Sequence, residues 1–424
     1  MRANLLAALI GVLCVAGCGG GTGLGGTGLG GTSGGGGTTP TGSNVQAITV
    51  DTGPAALVNA GTPAVNTAYT TVTVCSPGST TNCQTIDHIQ VDTGSSGLRI
   101  LASVLTISLP LQVDSNSNVI AECTQFVDGS SWGPIRQADV KVGGETASTQ
   151  EVQVIGDAAY PTVGAGCTGT AENTVTAFGA NGILGVGPFI QDCGQGCEVQ
   201  GHAVYFTCPT STTCADTGMP LTLQVANPVA SFATDNNGVI IQLPTVASAG
   251  AAAVDGYLIF GIGTQSNNGL GSATVFPLGS SGELTTNYNQ TALQSSFIDS
   301  GSNAYYFPDS TIAVCASNTS APGFYCPAST LSLSATMVSP VNGTSLSVGF
   351  SVASATSLFS GSTVIAAANN LAAPSTSVNN TGGSSTFNGG DSFDWGLPFY
   401  FGRSVYTAIE TRTTSGGTGP YFAF

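Results

Sequence analysis

The sequence predicts an all-β protein with few short helices, built as two lobes that share a sheet. Three observations predict it. Short runs rich in Val, Ile, Thr, Phe and Tyr recur after about Gln46, broken by Gly, Asn, Ser and Pro, as in half-buried antiparallel strands joined by tight turns. Charged residues make up only 7% of the 424, against about 25% in an ordinary soluble chain. That excludes coiled coils and amphipathic-helix proteins, which are rich in Glu, Lys and Arg. No charge break or long linker divides the body, so two lobes fit better than independent domains.

The composition excludes further classes. The formal charge is −16 with six Lys+Arg in all, too few for an electrostatic grip on nucleic acid or an anionic membrane. The 60 glycines have no period of three, which excludes a collagen-like chain.

Residues 1–18 read MRANLLAALIGVLCVAGC: Arg2 is a basic start, and Ala3 to Ala16 form an apolar core too short to span a bilayer comfortably. The run Val15-Ala16-Gly17-Cys18 resembles a bacterial lipobox, which implies lipidation of the Cys18 thiol; Gly19 after it implies sorting to the outer membrane. Residues 19–45 repeat TGLGG without a charge and read as a flexible tether. Inside it Gly21–Gly26 satisfies a dinucleotide fingerprint and Gly31–Gly35 a nucleophile elbow. Neither lies between a strand and a helix, so both are accidents of composition.

Ten cysteines follow Cys18, an even number that predicts disulfides in an exported chain. Cys75 and Cys83 flank a turn and are expected to staple a hairpin; Cys315 and Cys326 are expected to pair. Cys193, Cys197, His202, Cys208 and Cys214 match the spacing of no common zinc module, and the four cysteines read as disulfide-bonded. Strands are expected at Tyr69–Val74, Val140–Val142, Val152–Ile155, Gly238–Gln242 and Tyr257–Phe260. Helical signals are few: Ser310 to Cys315, and a turn after Arg403.

The specific signal is a pair of turns. Ile89-Gln-Val-Asp92-Thr-Gly-Ser ends an apolar run, and Ser296-Phe-Ile-Asp299-Ser-Gly-Ser repeats the arrangement 207 residues later. Two carboxylates facing each other share one proton, because like charges so close cannot both ionise cheaply. One can then act as general base on water while the other protonates a carbonyl. Gly94 and Gly301 permit the tight turns; Thr93, Ser95, Ser300 and Ser302 supply hydroxyls that support the carboxylates. Asp51-Thr-Gly and Asp216-Thr-Gly lack these surroundings and read as ordinary turns.

With these turns the chain resembles the pepsin-like aspartic peptidases. Asn181-Gly-Ile-Leu-Gly-Val-Gly187 is similar to the segment threading behind the first aspartate. Trp395 to Glu410 is similar, without gaps, to the second-lobe counterpart, and Gly256–Gly263 and Tyr69–Val74 to neighbouring strands. The resemblance implies a bilobal fold with an N-terminal lobe over 46–264 and a C-terminal lobe over 265–424. It implies a flap hairpin whose tyrosine position holds Phe126, with Asp128 and Gly129 beside it. Arg99 stands at the position of the flap's tryptophan partner. It either enters the site, where a cation would lower a neighbouring carboxylate's pKa, or lies on the surface with its stem on Leu98 or Leu101. Aligned without gaps, Pro398 replaces the threading glycine of the second lobe.

The activity so implied is that of a lipid-anchored endopeptidase of the cell envelope, with Asp92 and Asp299 catalytic. It would act as a monomer on polypeptide, without cofactor, metal or nucleic acid. The alternative is an inactive relative that binds polypeptide or glycan. Cleavage before Cys18 removes only Arg2 among the basic residues. Protonating the carboxylates would then leave few cations to repel one another, so acid unfolding should be weak. No Lys or Arg stands between Arg2 and Arg99, so no basic prosegment of the kind that masks the cleft in secreted relatives is expected.

Overall fold

The chain enters its first strand earlier than the tether reading expects. The computed structural model describes residues 40–127, 129–375 and 389–424; the signal segment with Cys18, the tether to residue 39, and Asp128 lie outside the described residues. Asn44 is fully buried and donates to Phe260 O at 2.9 Å, and strand β1 (Val45–Val50) starts next to it.

Strands β2 (Ala68–Cys75) and β3 (Cys83–Asp92) form a hairpin closed by the expected Cys75–Cys83 bridge. β4 (Ser96–Leu101), β5 (Val119–Gln125), β6 (Ser130–Val142), β7 (Glu145–Ile155) and β8 (Gly182–Val186) follow. The order β2-β3-β8-β4-β7-β6 closes on itself because β6 returns to β2 through Thr73↔Lys141 and Val74↔Val140. A closed sheet has no free edge and turns alternate side chains inward. Val72, Val74, Ile89, Val91, Leu98 and Ile100 are accordingly buried. β9 (Tyr205–Thr210) and β10 (Thr213–Asp216) add to the outer edge of β5, and Cys208–Cys214 ties their ends. β11 (Gly238–Leu243) and β12 (Val254–Phe260) continue the sheet beyond β1.

The second lobe is a seven-stranded sheet. Its strands come from β14 (Leu284–Tyr288), which follows the short β13 (Val275–Pro277), then β15 (Thr291–Ile298), β16 (Tyr305–Tyr306), β17 (Leu331–Val338), β18 (Ser345–Val352), β19 (Ala372–Ala373) and β20 (Asp394–Trp395). Its core is aromatic. Phe393 stacks between Phe307 and Trp395, at 4.9 and 4.1 Å, and the Trp395 indole donates to Thr286 Oγ1 at 3.0 Å, satisfying its only polar atom. The chain then returns as β21 (Arg403–Ala408), the hairpin β22 (Thr413–Thr414) and β23 (Gly417–Thr418), and β24 (Tyr421–Ala423). β21, β24 and β13 join β11, β12 and β1 in one continuous sheet, the layer that both lobes share.

The protein is thus mostly β, with a bilobal pepsin-like fold. Among the described residues the α-helices are three and short, Ala55–Asn59, Val175–Phe178 and Ala355–Leu358, none of them where the sequence suggested. Residues 310–315 are not helical. Asp309 Oδ1 captures the Thr311 amide and hydroxyl, Val314 bridges Tyr325, and Cys315 bonds Cys326, all of which hold the chain extended. After Arg403 the chain is a strand, because β11 offers six partners from Gly238 to Leu243.

All ten described cysteines are paired: besides the two expected bridges, Cys123–Cys167, Cys193–Cys197 and Cys208–Cys214. Asp51 caps a local turn, accepting from the Gly53 amide; Asp216, expected in such a turn, instead ends strand β10 and accepts from the distant amides of Gly201 and Ala203. Among the described residues no helix is long and apolar enough to cross a membrane.

His88 has Asp51 and Asp87 within 3.5 and 3.1 Å of its two ring nitrogens. The hydrogen bond to Asp51 raises its pKa, partial burial opposes this, and both acids add to the rise. A raised folded-state pKa contributes stability that is fully present below the unfolded value near 6.5 and is lost as pH rises through the folded value. His88→Asn, which tolerates the positive φ of 47° there, is therefore expected to lower Tm more at pH 5 than at pH 8.5. Equal losses at both pH values would remove the ion pairs from the account. The cluster is half exposed, so the difference should shrink in high salt.

Candidate active site

The two turns that carry Asp92 and Asp299 are wired alike. β3 ends at Asp92, whose Oδ1 accepts from the Gly94 amide at 2.8 Å and whose Oδ2 accepts from Ser95 Oγ. β15 leads into Asp299, whose Oδ1 accepts from the Gly301 amide at 2.7 Å and whose Oδ2 accepts from Ser302 Oγ at 2.9 Å. In each turn the amide two residues on and the hydroxyl three residues on hold the carboxyl. The glycines are needed for approach: a Cβ on Gly94 would lie 2.7 Å from the Asp299 carboxyl, and one on Gly301 would collide with Asp92. Both carboxyls are buried and hydrogen-bonded to each other.

The second residues of the turns hold the two lobes together. Thr93 Oγ1 donates to Ile298 O at 3.2 Å and accepts from the Ser300 amide at 3.0 Å. Ser300 Oγ donates to Val91 O at 2.9 Å and accepts from the Thr93 amide at 3.1 Å. Each hydroxyl thus grips the other lobe's backbone. Thr93 has spent its proton on Ile298, so Tyr400, 2.8 Å away, must donate to it. Gln90 Nε2 adds a further cross-link to Gly301 O at 2.8 Å.

This arrangement separates the two acids. Burial, and then the charge of Asp92, push Asp299 up to about 6. Burial also opposes ionisation of Asp92. Its charged form, though, accepts hydrogen bonds from Asp299, Ser95 and Gly94, and it is held below the ordinary range. The pair thus shares one proton, with Asp299 raised and Asp92 lowered.

Behind the two acids, the threading strands correct the gap-free alignment. β8 runs parallel to β3 with Asp92 level with Gly185, and antiparallel to β4 with Gly97 opposite Gly185. In the second lobe β20 pairs Ile298 with Trp395 and Tyr305 with Trp395, which brings Gly396 level with Asp299 and opposite Ala304. Ala304 is five residues past Asp299, as Gly97 is past Asp92. Both registers therefore place Gly396, not Pro398, at the threading glycine. A Cβ on Gly396 would collide with Ala304 O, whereas Pro398 lies in the 3-10 turn Leu397–Tyr400 that follows.

The same registers reveal a residue the sequence reading missed. Asp394 is buried beside the pair, hydrogen-bonded to Ser302 and within reach of the charges of Asp299 and Asp92. Its one signal was an acid inside the apolar run Phe393-Asp394-Trp395.

Arg99 is neither on the surface nor at the aspartates. It is 1% exposed, its Nη2 lies 2.6 Å from Glu122 and 2.9 Å from Asp192, and its Nε donates to Thr124 Oγ1. Burial opposes its charge, and the two acids more than compensate. Tyr205 Oη donates to Asp192 Oδ1 at 2.7 Å. Burial and the neighbouring Glu122 charge raise Asp192 well above the carboxylate range. The carboxylates this cation stabilises are Glu122 and Asp192, and it works as a strut between β4, β5 and the segment after β8.

The hairpin β5–β6 is pinned at its tip. The Ser130 amide donates to Thr170 O at 2.8 Å, Ser130 O accepts from the Glu172 amide at 2.9 Å, and Cys123–Cys167 fastens β5 to the same loop. Gly129 packs against Thr170 and Glu172, with no room for a Cβ. Phe126 is a core residue, its ring edge-on to Phe178 at 5.9 Å in a cluster with Tyr69, Leu101 and Ile183. Asp128 lies outside the described residues.

Comparisons agree with this architecture. Residues 40–424 match the family model described as Protein of unknown function (DUF3443). No curated protein matches the chain. Among solved structures, an aspartic proteinase from Irpex lacteus is similar with a TM-score of 0.50, over 89% of this chain and 96% of that one. At 16% identity the likeness is one of fold.

Proposed function

The chain belongs to the DUF3443 family of proteins of unknown function, and on that premise we propose that it is an aspartic endopeptidase, with Asp92 and Asp299 activating a water between them. The observation that carries the proposal is the reciprocal wiring of the two turns. Two buried acids in contact, each held by an amide and a hydroxyl, keep one proton on Asp299 and the charge on Asp92. Asp92 then takes a proton from water as it attacks, while Asp299 gives its proton to the carbonyl oxygen. The roles reverse when the amine leaves. Gly94, exposed at the tip of its turn, brings backbone to the substrate's side of the pair. An extended polypeptide lying between the lobes is the substrate class this geometry suits.

The test is cleavage of a fluorescence-quenched peptide library by the full-length protein from pH 2.5 to 7.5. Cleavage with an alkaline limb near pH 6 supports the proposal, because above that pH Asp299 loses the shared proton. Folded, disulfide-intact protein that cleaves nothing at any pH would sink it.

A second reading, a polypeptide- or glycan-binding protein on the same fold, is favoured by one observation. The hairpin that would close over a substrate is fastened at its tip and by Cys123–Cys167. Under that reading the peptides bind and leave intact.

The proposed place of work is the cell envelope, through a lipid on Cys18 with the body outside the inner membrane. Cys18→Ser is expected to move the protein from the membrane to the soluble fraction. Unchanged membrane association would remove the anchor from the account.

A further inference from the structure

We propose that Asp394 is a third acid of this site, a neutral carboxyl group that donates its proton to Ser302 Oγ and so fixes that hydroxyl as the donor to Asp299. Its effect on rate rests on the peptidase reading; its protonation does not.

The first argument is position. Phe393 and Trp395 point into the aromatic core of the second lobe, so the alternation of a strand turns Asp394 to the opposite face, towards Ser302. The two-lobe symmetry shows that the fold does not ask for an acid there. Asp394 pairs with Phe297, two residues before Asp299; in the first lobe the residue paired two before Asp92 is Ile183, opposite Gln90. Ile183 is an ordinary core residue. A carboxyl in the equivalent place is costly to bury. It is 4% exposed, and its Oδ1 has no hydrogen-bond partner.

The second argument is a count of protons. Asp92, Asp299, Ser302 and Asp394 form a chain of three hydrogen bonds, and each bond needs one proton. Ser302 brings one and gives it to Asp299. The three carboxyls must therefore hold two. Asp92 and Asp299 accept from equivalent amide and hydroxyl donors, and it is the lowered pKa of Asp92 against the raised one of Asp299 that makes Asp92 the ionised member. The remaining protons sit on Asp299, directed to Asp92, and on Asp394, directed to Ser302. The titratable groups facing Asp394 are Asp299 and Asp92, Tyr306 across the strand pair, and Tyr400 on the following turn. Burial and then the Asp299 charge raise Asp394 well above the carboxylate range.

The consequence is a site with one negative charge on three acids, in which the orientation of Ser302, and through it that of Asp299, depends on a proton kept elsewhere. Asp394 is a positioning residue, acting through Ser302.

The test follows carboxyl carbons by NMR in full-length protein made with 13C-labelled aspartate, from pH 3 to 9. Asp299 and Asp394 are assigned with Asp299→Asn and Asp394→Asn. Asp394 is expected to stay in the protonated range while Asp299 titrates, and to ionise only at higher pH. An ionised Asp394 at pH 5 overturns the proposal. Protein that cleaves no peptide yet shows this order retains the third acid and loses the peptidase reading. Cleaving protein with an ionised Asp394 does the reverse.

In cleaving protein, Asp394→Asn, whose amide still donates to Ser302, should leave the alkaline limb in place. Asp394→Ile, the first lobe's residue, should raise it by about half to one pH unit, because the ionised form of Asp299 loses support. Identical limbs in the two variants overturn the positioning role.

Discussion

Asp92→Asn is expected to lower kcat/KM by roughly 10²- to 10⁴-fold on any peptide the parent cleaves, the span that a positioned acid or base contributes. Asp299→Asn should cost as much, because the two act as one unit. After Asp92→Asn the carboxamide oxygen still accepts from the Gly94 amide and the NH2 can donate to Ser95 Oγ, so the turn should survive and the loss should fall on the chemical step. Single-turnover rates on parent and variants, with near-UV circular dichroism to show retained packing, check this. A loss below about tenfold in a folded Asp92→Asn protein would mean that the charge on Asp92 takes no part in cleavage.

The second large effect lies behind the acids. Gly396→Ala puts a methyl group into Ala304 O and within 2.7 Å of Ser302 O, both of them backbone on the turn that holds Asp299. Neither can swing aside as a side chain would, so the strand must shift. Overpacking of this kind costs about 1–3 kcal/mol or more, and here it also displaces the Ser302 hydroxyl from Asp299. Pro398, by contrast, is buried in the turn beyond, and Pro398→Gly leaves a cavity there and frees the unfolded chain without crowding the Asp299 turn. Denaturant unfolding of Gly396→Ala checks the size of the loss. Unchanged stability would remove Gly396 from the threading position.

That contrast marks where sequence reading stops. The β class was legible because alternation and turn residues are local signals, and the paired Asp-Thr-Gly-Ser and Asp-Ser-Gly-Ser turns were legible because a short hydroxyl-rich motif after an apolar run is rare by chance. Register is not local. The threading strand of the second lobe has only an apolar pair and a glycine to identify it, and Gly396 and Pro398 sit two residues apart in the same apolar run. Only the pairing of β20 with β15 and β16 separates them. Arg99 failed for a related reason. Its partners lie 23 and 93 residues away, and nothing in the chain announces that Glu122 and Asp192 meet it. Asp394 was hidden because an acid between two aromatics reads as a surface position, whereas here it faces the other acids. The helix expected at Ser310–Cys315 lost to a disulfide and to the Asp309 turn, both of which outweigh the weak helical preference of so short a run.

The pattern of bridges also bears on how the protein is made. Each of the ten described cysteines is bonded to the one next before or after it in order: Cys75 to Cys83, Cys123 to Cys167, Cys193 to Cys197, Cys208 to Cys214 and Cys315 to Cys326. No bridge spans another cysteine. A chain oxidised while it emerges from a translocation pore, amino end first, meets each thiol's native partner as the next thiol to appear. If the chain is exported in that way, indiscriminate oxidation in that order would yield the native pairing of these ten, with no isomerase needed to reshuffle it.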